Sequence, residues 1–307
     1  MLNTVEAEKR SLMSHAATLF RLFRVKHWVK NTFLFIPAFF AGTLFRAEGL
    51  IQLIAGFFAF SFIASAVYIL NDYRDIESDR QHPVKCKRPL ASGAISPGIG
   101  LTYMIVLLLS GLVLGFYLHP NFFVIIAIYF VMNVAYSMGL KNISILDIFI
   151  IALGFLLRTV SGGILADVPI SQWLIIMVFL LAVFLGLAKR RDDLVLARQE
   201  GKVLRKASEN YNLEYVNMCL TMLAAIIVVS YLMYCLSDEV TTRFHTPYLF
   251  YTSVFVIAGM MRYLQITLVE QNSGSPTKVL YSDRFIRITL VLWILSFMVL
   301  IYSNKIF

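Results

Sequence analysis

Charge is scarce in this chain: 15% of its 307 residues are Asp, Glu, Lys or Arg, against about 25% in a soluble globular domain. That deficit excludes an ordinary water-soluble fold. Apolar residues fill the space, 59% of the chain at a mean hydropathy of +0.75, in runs of about 20 residues that are long enough to cross a bilayer. Cysteine is sparse too. Cys86, Cys219 and Cys235 follow no pattern, which excludes a disulfide framework and a zinc site. His15, His27, His82, His119 and His245 fit no ligand spacing, and no Ser/His/Asp or Cys/His arrangement offers a nucleophile. Nothing resembles a cleavable signal peptide, because the first long apolar run begins only near Phe33, after a mixed-charge stretch.

What is present reads as an all-α polytopic membrane protein. Apolar spans are expected at 31–47, 50–70, 99–117, 121–137, 144–165, 171–188, 214–236, 246–266 and 286–304, nine in all. Residues 1–30 form a separate N-terminal segment. Leu12, Ala16, Leu19, Phe20, Leu22 and Phe23 interleave there with Arg21, Arg24, Lys26 and Lys30, as in an interfacial amphipathic helix leading into the 31–307 intramembrane domain. With the N-terminus placed in the cytoplasm, 23 of the 27 Lys and Arg fall on the cytoplasmic side, three on the other, and Arg158 within a span. The net charge of +9 therefore reports membrane orientation rather than a nucleic-acid partner. The longest polar connections, 71–98, 189–213 and 267–285, gather on that one face. A site opening to the cytoplasm fits this better than a pathway through the membrane.

The most informative stretch is Asn71–Gly93, N-D-Y-R-D-I-E-S-D-R-Q-H-P-V-K-C-K-R-P-L-A-S-G. On a continuous helix, Asn71, Asp72, Asp75 and Asp79 share an arc of about a quarter turn, with Glu77 and Arg80 pointing away. Crowded carboxylates repel unless a cation sits among them, and oxygen ligands of this kind suit Mg²⁺. Lys85, Lys87 and Arg88 follow on a segment broken by Pro83 and Pro89, and cationic donors beside a carboxylate-bound ion are what a diphosphate requires. The plain alternative is a solvated loop of mixed charge; the coincidence of acidic face, basic sequel and membrane edge argues against it. A weak repeat places Lys189-Arg190-Arg191-Asp192-Asp193 four spans later at an equivalent helix end, although a basic run there is also an ordinary topology signal. Two such acidic clusters are suited to cradling one metal-bound diphosphate.

Other polar residues stand out singly. Arg158 lies deep in a span, where a cation is costly unless it is paired or lines a wet cavity; it is expected to serve the site or a polar network supporting it, the alternative being a side chain that snorkels to the outer surface. Lys30 and Asn31 lie on the site's side of the membrane, within reach of a phosphate. Lys141 is open to two readings, interface anchor and phosphate ligand. Trp28 reads as an interface anchor, and Gln271–Thr277 as a turn-forming loop.

The string N-D-x-x-D-x-x-x-D, continued by H-P-V-K-C-K-R-P-L-A-S-G, resembles the first signature of the intramembrane UbiA-type prenyltransferases, whose architecture is nine spans. R-V-K-H-W-V-K-N, L-D-I-F-I-I-A-L-G-F-L-L-R-T-V-S-G-G, A-K-R-R-D-D-L and G-S-P-T-K-V-L-Y-S-D-R resemble the decaprenyl-phosphate phosphoribosyltransferase branch. The resemblance implies transfer of a phosphoribosyl group from 5-phosphoribosyl 1-diphosphate to a polyprenyl phosphate in the inner membrane. It implies Mg²⁺ on Asn71, Asp75 and Asp79, and catalytic roles for Asp72, Asp75, Asp79, Lys85 and Arg88. Lys30, Asn31, Lys141, Arg158, Lys189, Arg190 and Asp192 are the implied substrate-binding residues. The partners are these two substrates and the membrane lipids; self-assembly is left open. One departure matters: Asp192-Asp193 lacks the second D-x-x-x-D of aromatic-acceptor members, the next acid being Glu200. That weakens a quinone- or haem O-type prenyl transfer, the alternative of the same fold. A transporter would more usually place ionisable groups near the bilayer midplane.

Overall fold

The computed structural model of the chain describes residues 16–200, 206–270, 279 and 281–306. The loop expected at 271–277 and the start of the amphipathic segment before residue 16 lie outside them. Among the described residues the fold is helical without strands, and eight helices are long and apolar enough to cross a membrane. We number these helices α1 (Ala47–Arg74), α2 (Pro97–Leu118), α3 (Pro120–Met138), α4 (Leu146–Leu165), α5 (Gln172–Glu200), α6 (Leu213–Leu236), α7 (Ser253–Leu268) and α8 (Arg284–Ile306).

The expected first span, 31–47, is not one helix. Val25–Phe35 winds as a 3₁₀-helix, Pro37 opens a short α-helix over Ile36–Phe40, and Gly42, at φ 67°, turns the chain away. Proline is at home in a first helical turn and supplies no N–H to continue a helix already running. The expected end of the sixth span is also displaced: α5 continues through Lys189–Asp193 to Glu200. Good helix formers (Leu, Ala, Arg, Gln) and an Arg190–Asp193 pair one turn apart sustain it.

The chain divides into two compact units, residues 1–137 with 157–168 and residues 138–156 with 169–307, and α4 contributes its second half to the first unit and its first half to the second. In the first unit α1 is central: 61% of its apolar window is buried, against 17% for α2. Its core joins Leu34, Phe60, Ile63, Phe122, Ile126 and Leu165. In a 3₁₀-helix residues three apart eclipse, so Trp28, Asn31 and Leu34 share one face. That face meets α1. Trp28 donates to Ser65 Oγ at 3.0 Å and Asn31 Nδ2 to Ser61 Oγ at 2.8 Å, while Ser65 donates to the Phe23 carbonyl at 2.8 Å. Trp28, expected as an interface anchor, is thus half-buried and packs edge-on against Phe58 and Phe62. α4 approaches the same segment so closely that a Cβ on Gly162 would stand 1.8 Å from the Leu34 carbonyl oxygen.

The second unit packs Ile148, Phe184, Leu187, Leu220, Tyr263 and Ile286 together. The Tyr231 hydroxyl, within 2.6 Å of Thr252 Oγ1, accepts from Trp293 Nε1 at 2.8 Å and ties α6 to α8. Arg262 near the end of α7 donates twice to Asp283 Oδ2, at 3.2 and 2.8 Å, and once to Glu270 at 2.7 Å. Asp283 Oδ1 meanwhile accepts from the Ile286 N–H at 2.9 Å, in the first turn of α8. The Arg262 guanidinium, then this backbone N–H, hold the Asp283 carboxyl below the ordinary carboxylate range.

Two predictions follow from this packing. Gly162→Ala must move backbone, so it should cost about 1–3 kcal/mol in thermal unfolding of detergent-solubilised protein. Gly259→Ala, whose new Cβ meets nothing closer than Thr289 Cγ2 at 3.8 Å, should be tolerated. Asp283 has its pKa depressed by folding, so its contribution is complete above the unfolded value of about 3.9 and disappears as pH falls through the folded value. The difference in melting temperature between the natural protein and Asp283→Asn should be constant near neutrality and close to zero in strong acid.

Candidate active site

The acidic face forms where α1 ends. Asn71 and Asp72 lie on its last turn, and Asp75, at φ −95° and ψ 8°, breaks it. A five-residue helix, Ile76–Arg80, then carries Asp79. The four residues are therefore not on one continuous helical face. Asp72 and Asp79 are buried, at 2% and 1% exposure, and Asn71 and Asp75 are half-buried. Glu77 and Arg80 point outward and pair with each other at 2.9 Å, as the helical spacing anticipates.

The chain then folds back. His82 Nδ1 accepts from the N–H groups of Val84 and Lys85 at 3.1 and 3.3 Å and caps the turn Lys85–Lys87. Arg80 Nε reaches the Ala91 carbonyl at 3.3 Å, and Gly93 reverses the backbone at φ 78°, a conformation glycine adopts without Cβ strain. This return delivers Arg88, whose Nη1 donates to Asp72 Oδ1 at 3.0 Å and to Asp79 Oδ2 at 2.6 Å. Lys85 Nζ stands 3.8 Å from Asp79 Oδ1. A second guanidinium comes from far back in the chain: Arg24 Nη2 donates to Asp72 Oδ1, and its head lies 4.8 Å above the Tyr68 ring. Arg24 holds a left-handed backbone, φ 50°, between helical residues 16–22 and the 3₁₀-helix.

Sequence reasoning missed Arg24. A signal was present, because Ser61, Ser65, Tyr68 and Asp72 fall within an arc of about 60° on α1 and form the polar stripe along which residues 23–31 run.

Among the described residues no group of three or more His, Cys, Asp and Glu stands ready to hold a metal ion; the expected set of Asn71, Asp75 and Asp79 holds only two such residues. In this arrangement Arg24 and Arg88 neutralise the carboxylates. The donor set nonetheless fits Mg²⁺. It is made of hard oxygen atoms, and Asp79 Oδ1 is buried with no hydrogen-bond partner among the described residues.

Deeper in the first unit, Arg158 is 4% exposed. Its Nε donates to Asn31 Oδ1 at 2.7 Å and its Nη2 to the Tyr129 hydroxyl at 2.9 Å. The guanidinium also lies 4.9 Å from the Phe60 ring centre and 4.7 Å from that of Tyr129. The structure thus joins two sequence-predicted residues, Asn31 and Arg158, in one network with Ser61. That network lies about 16 Å along α1 from Asp72. Lys30 is half-buried beside it; burial, and then the Arg158 charge, hold its ammonium below the ordinary lysine value.

In the second unit Arg190 is buried and engaged twice. Nη2 lies 2.7 Å from Asp147 Oδ2 and Nη1 3.1 Å from Asp193 Oδ2. Its charge, expected on a phosphate, here meets two carboxylates. Asp192 is buried, Lys189 exposed and Lys141 half-buried. Arg191 Nε donates to Asn217 Oδ1 at 2.8 Å. Tyr211 fixes the turn before Asp147, its hydroxyl accepting the N–H of Ile145, a residue held at φ 69°. Burial pushes the Tyr211 phenol above its ordinary value and keeps it protonated.

Known proteins resemble the chain over most of its length. The chain is 29% identical over 286 residues to the decaprenyl-phosphate phosphoribosyltransferase of Mycolicibacterium smegmatis, covering 90% of each chain. It is 28% identical over 282 residues to the Mycobacterium tuberculosis protein of the same name, covering 91% of this chain and 92% of that one. A UbiA homologue from Archaeoglobus fulgidus, solved with GPP and Mg²⁺, shares the fold at a TM-score of 0.69 and 20% identity, covering 92% of this chain and 99% of the other. The model of the UbiA prenyltransferase family matches residues 34–295. The chain therefore belongs to the UbiA prenyltransferase family, as a multi-pass membrane enzyme.

Proposed function

We propose that the protein transfers the 5-phosphoribosyl group of phosphoribosyl diphosphate to a polyprenyl phosphate of decaprenyl type and releases diphosphate. The observation that carries the reading is the pair of buried carboxylates, Asp72 and Asp79, bridged by Arg88 with Lys85 alongside. Such a cluster holds matched charges of both signs where a membrane helix ends, as recognition of a metal-bound diphosphate demands. The mycobacterial relatives and the incomplete second acidic motif favour a sugar diphosphate as donor.

In the reaction an oxygen of the lipid phosphate attacks the anomeric carbon of ribose. The bond from that carbon to the diphosphate oxygen breaks, and its electron pair leaves on diphosphate. The attacking oxygen is already anionic, so no protein nucleophile is needed. Arg88 and Lys85 grip the departing phosphates, which concentrates positive charge where negative charge develops. Asn71, Asp75 and Asp79, with Asp72 near, are the residues that would hold Mg²⁺, which when bound supplies further neutralisation of the leaving group. Asn31 and Arg158 act as a braced polar wall beside Lys30. Lys141, Lys189 and Asp192 are the second unit's candidates for polar substrate contacts, and Arg190 acts there by orienting Asp147 and Asp193. The distribution of Lys and Arg supports a cytoplasmic position for the acidic face.

Purified protein given labelled phosphoribosyl diphosphate, decaprenyl phosphate and Mg²⁺ should form a lipid-linked pentose phosphate. Asp75→Ala should lower that rate about 100-fold or more without unfolding the protein. Absence of the lipid product together with prenylation of an aromatic acid from a prenyl diphosphate would replace this reading with aromatic prenyl transfer, the alternative of the same fold.

A further inference from the structure

The acidic face holds one cation that neither the local motif nor the reaction as proposed accounts for. Arg24 lies 48 positions before Asp72, yet its guanidinium donates to the same Oδ1 atom that accepts from Arg88. Asp72 is nearly inaccessible and Arg24 is only partly so, the side chains being 2% and 21% exposed. A carboxylate buried to that degree must keep a counter-charge, and two guanidinium groups now supply it. A divalent ion held by Asn71, Asp75 and Asp79 would bring further positive charge close to these two guanidinium groups. Like charges repel, so the less firmly anchored of the two is the one loosened.

Arg88 is held from two sides, by Asp72 and Asp79. Arg24 has a single carboxylate contact, a ring beneath it and a left-handed backbone hinge at φ 50°. It is the group placed to move.

We propose that Arg24 is a placeholder cation and a further diphosphate-binding residue: it occupies Asp72 while the face lacks metal, is displaced when the ion enters, and then closes on the diphosphate. The N-terminal segment thereby becomes a reporter of site occupancy. Residues 23–31 hang on α1 through Phe23, Trp28 and Asn31, so release of Arg24 loosens its end of that attachment and diphosphate binding restores it. The proposal rests on the reading of the acidic face as a metal–diphosphate site, and its test separates the two.

Amide hydrogen exchange of the full chain in detergent provides the test, with Mn²⁺ binding followed by electron paramagnetic resonance. Mg²⁺ alone should raise exchange in residues 20–30, and Mg²⁺ with inorganic diphosphate should lower it again. Arg24→Gln should show the raised exchange without metal and no further response to Mg²⁺. Diphosphate should tighten Mn²⁺ binding by roughly tenfold less in this variant than in the natural protein, the worth of one charge-assisted contact. Arg24→Lys should restore part of both responses. If the glutamine variant does not fold, the natural protein's response to Mg²⁺ and diphosphate decides alone. Mn²⁺ bound with unchanged exchange would overturn the role of Arg24 and leave the site reading intact. No Mn²⁺ bound would overturn both.

Discussion

Two carboxylates buried at the end of a membrane helix set the terms for the first half of this protein. Asp72 and Asp79 cannot be left without counter-charge in surroundings where each is almost wholly withdrawn from water. The solution is local on one side and remote on the other. Arg88 arrives through a tight return of the following loop, and Arg24 through a segment laid along the polar stripe of α1. A break at Asp75 separates the two carboxylates, Asp72 on the last turn of α1 and Asp79 on the short helix that follows.

The buried Arg158 shows a different answer to a similar problem. A guanidinium deep in a membrane span is costly in isolation. Here it is spread across an amide oxygen, a phenol and two aromatic faces, and close packing of Gly162 on Leu34 keeps that neighbourhood rigid. In the second unit Arg190 answers with two carboxylates at once.

Much of this was legible in the sequence because it is short-range. The run Asn71–Gly93 contains its own acids, bases, prolines and turn glycine, so its chemistry could be read without knowing the fold. The outward pair Glu77–Arg80 follows from helical spacing alone. What the sequence concealed is long-range or irregular. Arg24 meets Asp72 across 48 positions, Tyr129 meets Arg158 across 29, and Tyr211 meets Ile145 across 66. No periodicity connects such pairs. The assumption of an unbroken helix hid the interruption at Asp75, and hydropathy alone made residues 31–47 look like one helix, because it cannot register the new start that Pro37 imposes. The partners of Arg190 were hidden for another reason: both were visible as acids, but their placement beside it was not.

The central claim is that the Asn71–Asp79 face receives a divalent ion and, on it, the diphosphate of the sugar donor. A structure determined with Mn²⁺ and phosphoribosyl diphosphate, with the ion located by its anomalous scattering, tests this most directly. The account predicts one manganese peak within coordination distance of Asp75 and Asp79, with Arg88 turned onto a phosphate oxygen. A donor bound elsewhere, with Asp72 and Asp79 still bridged by Arg88, would contradict it.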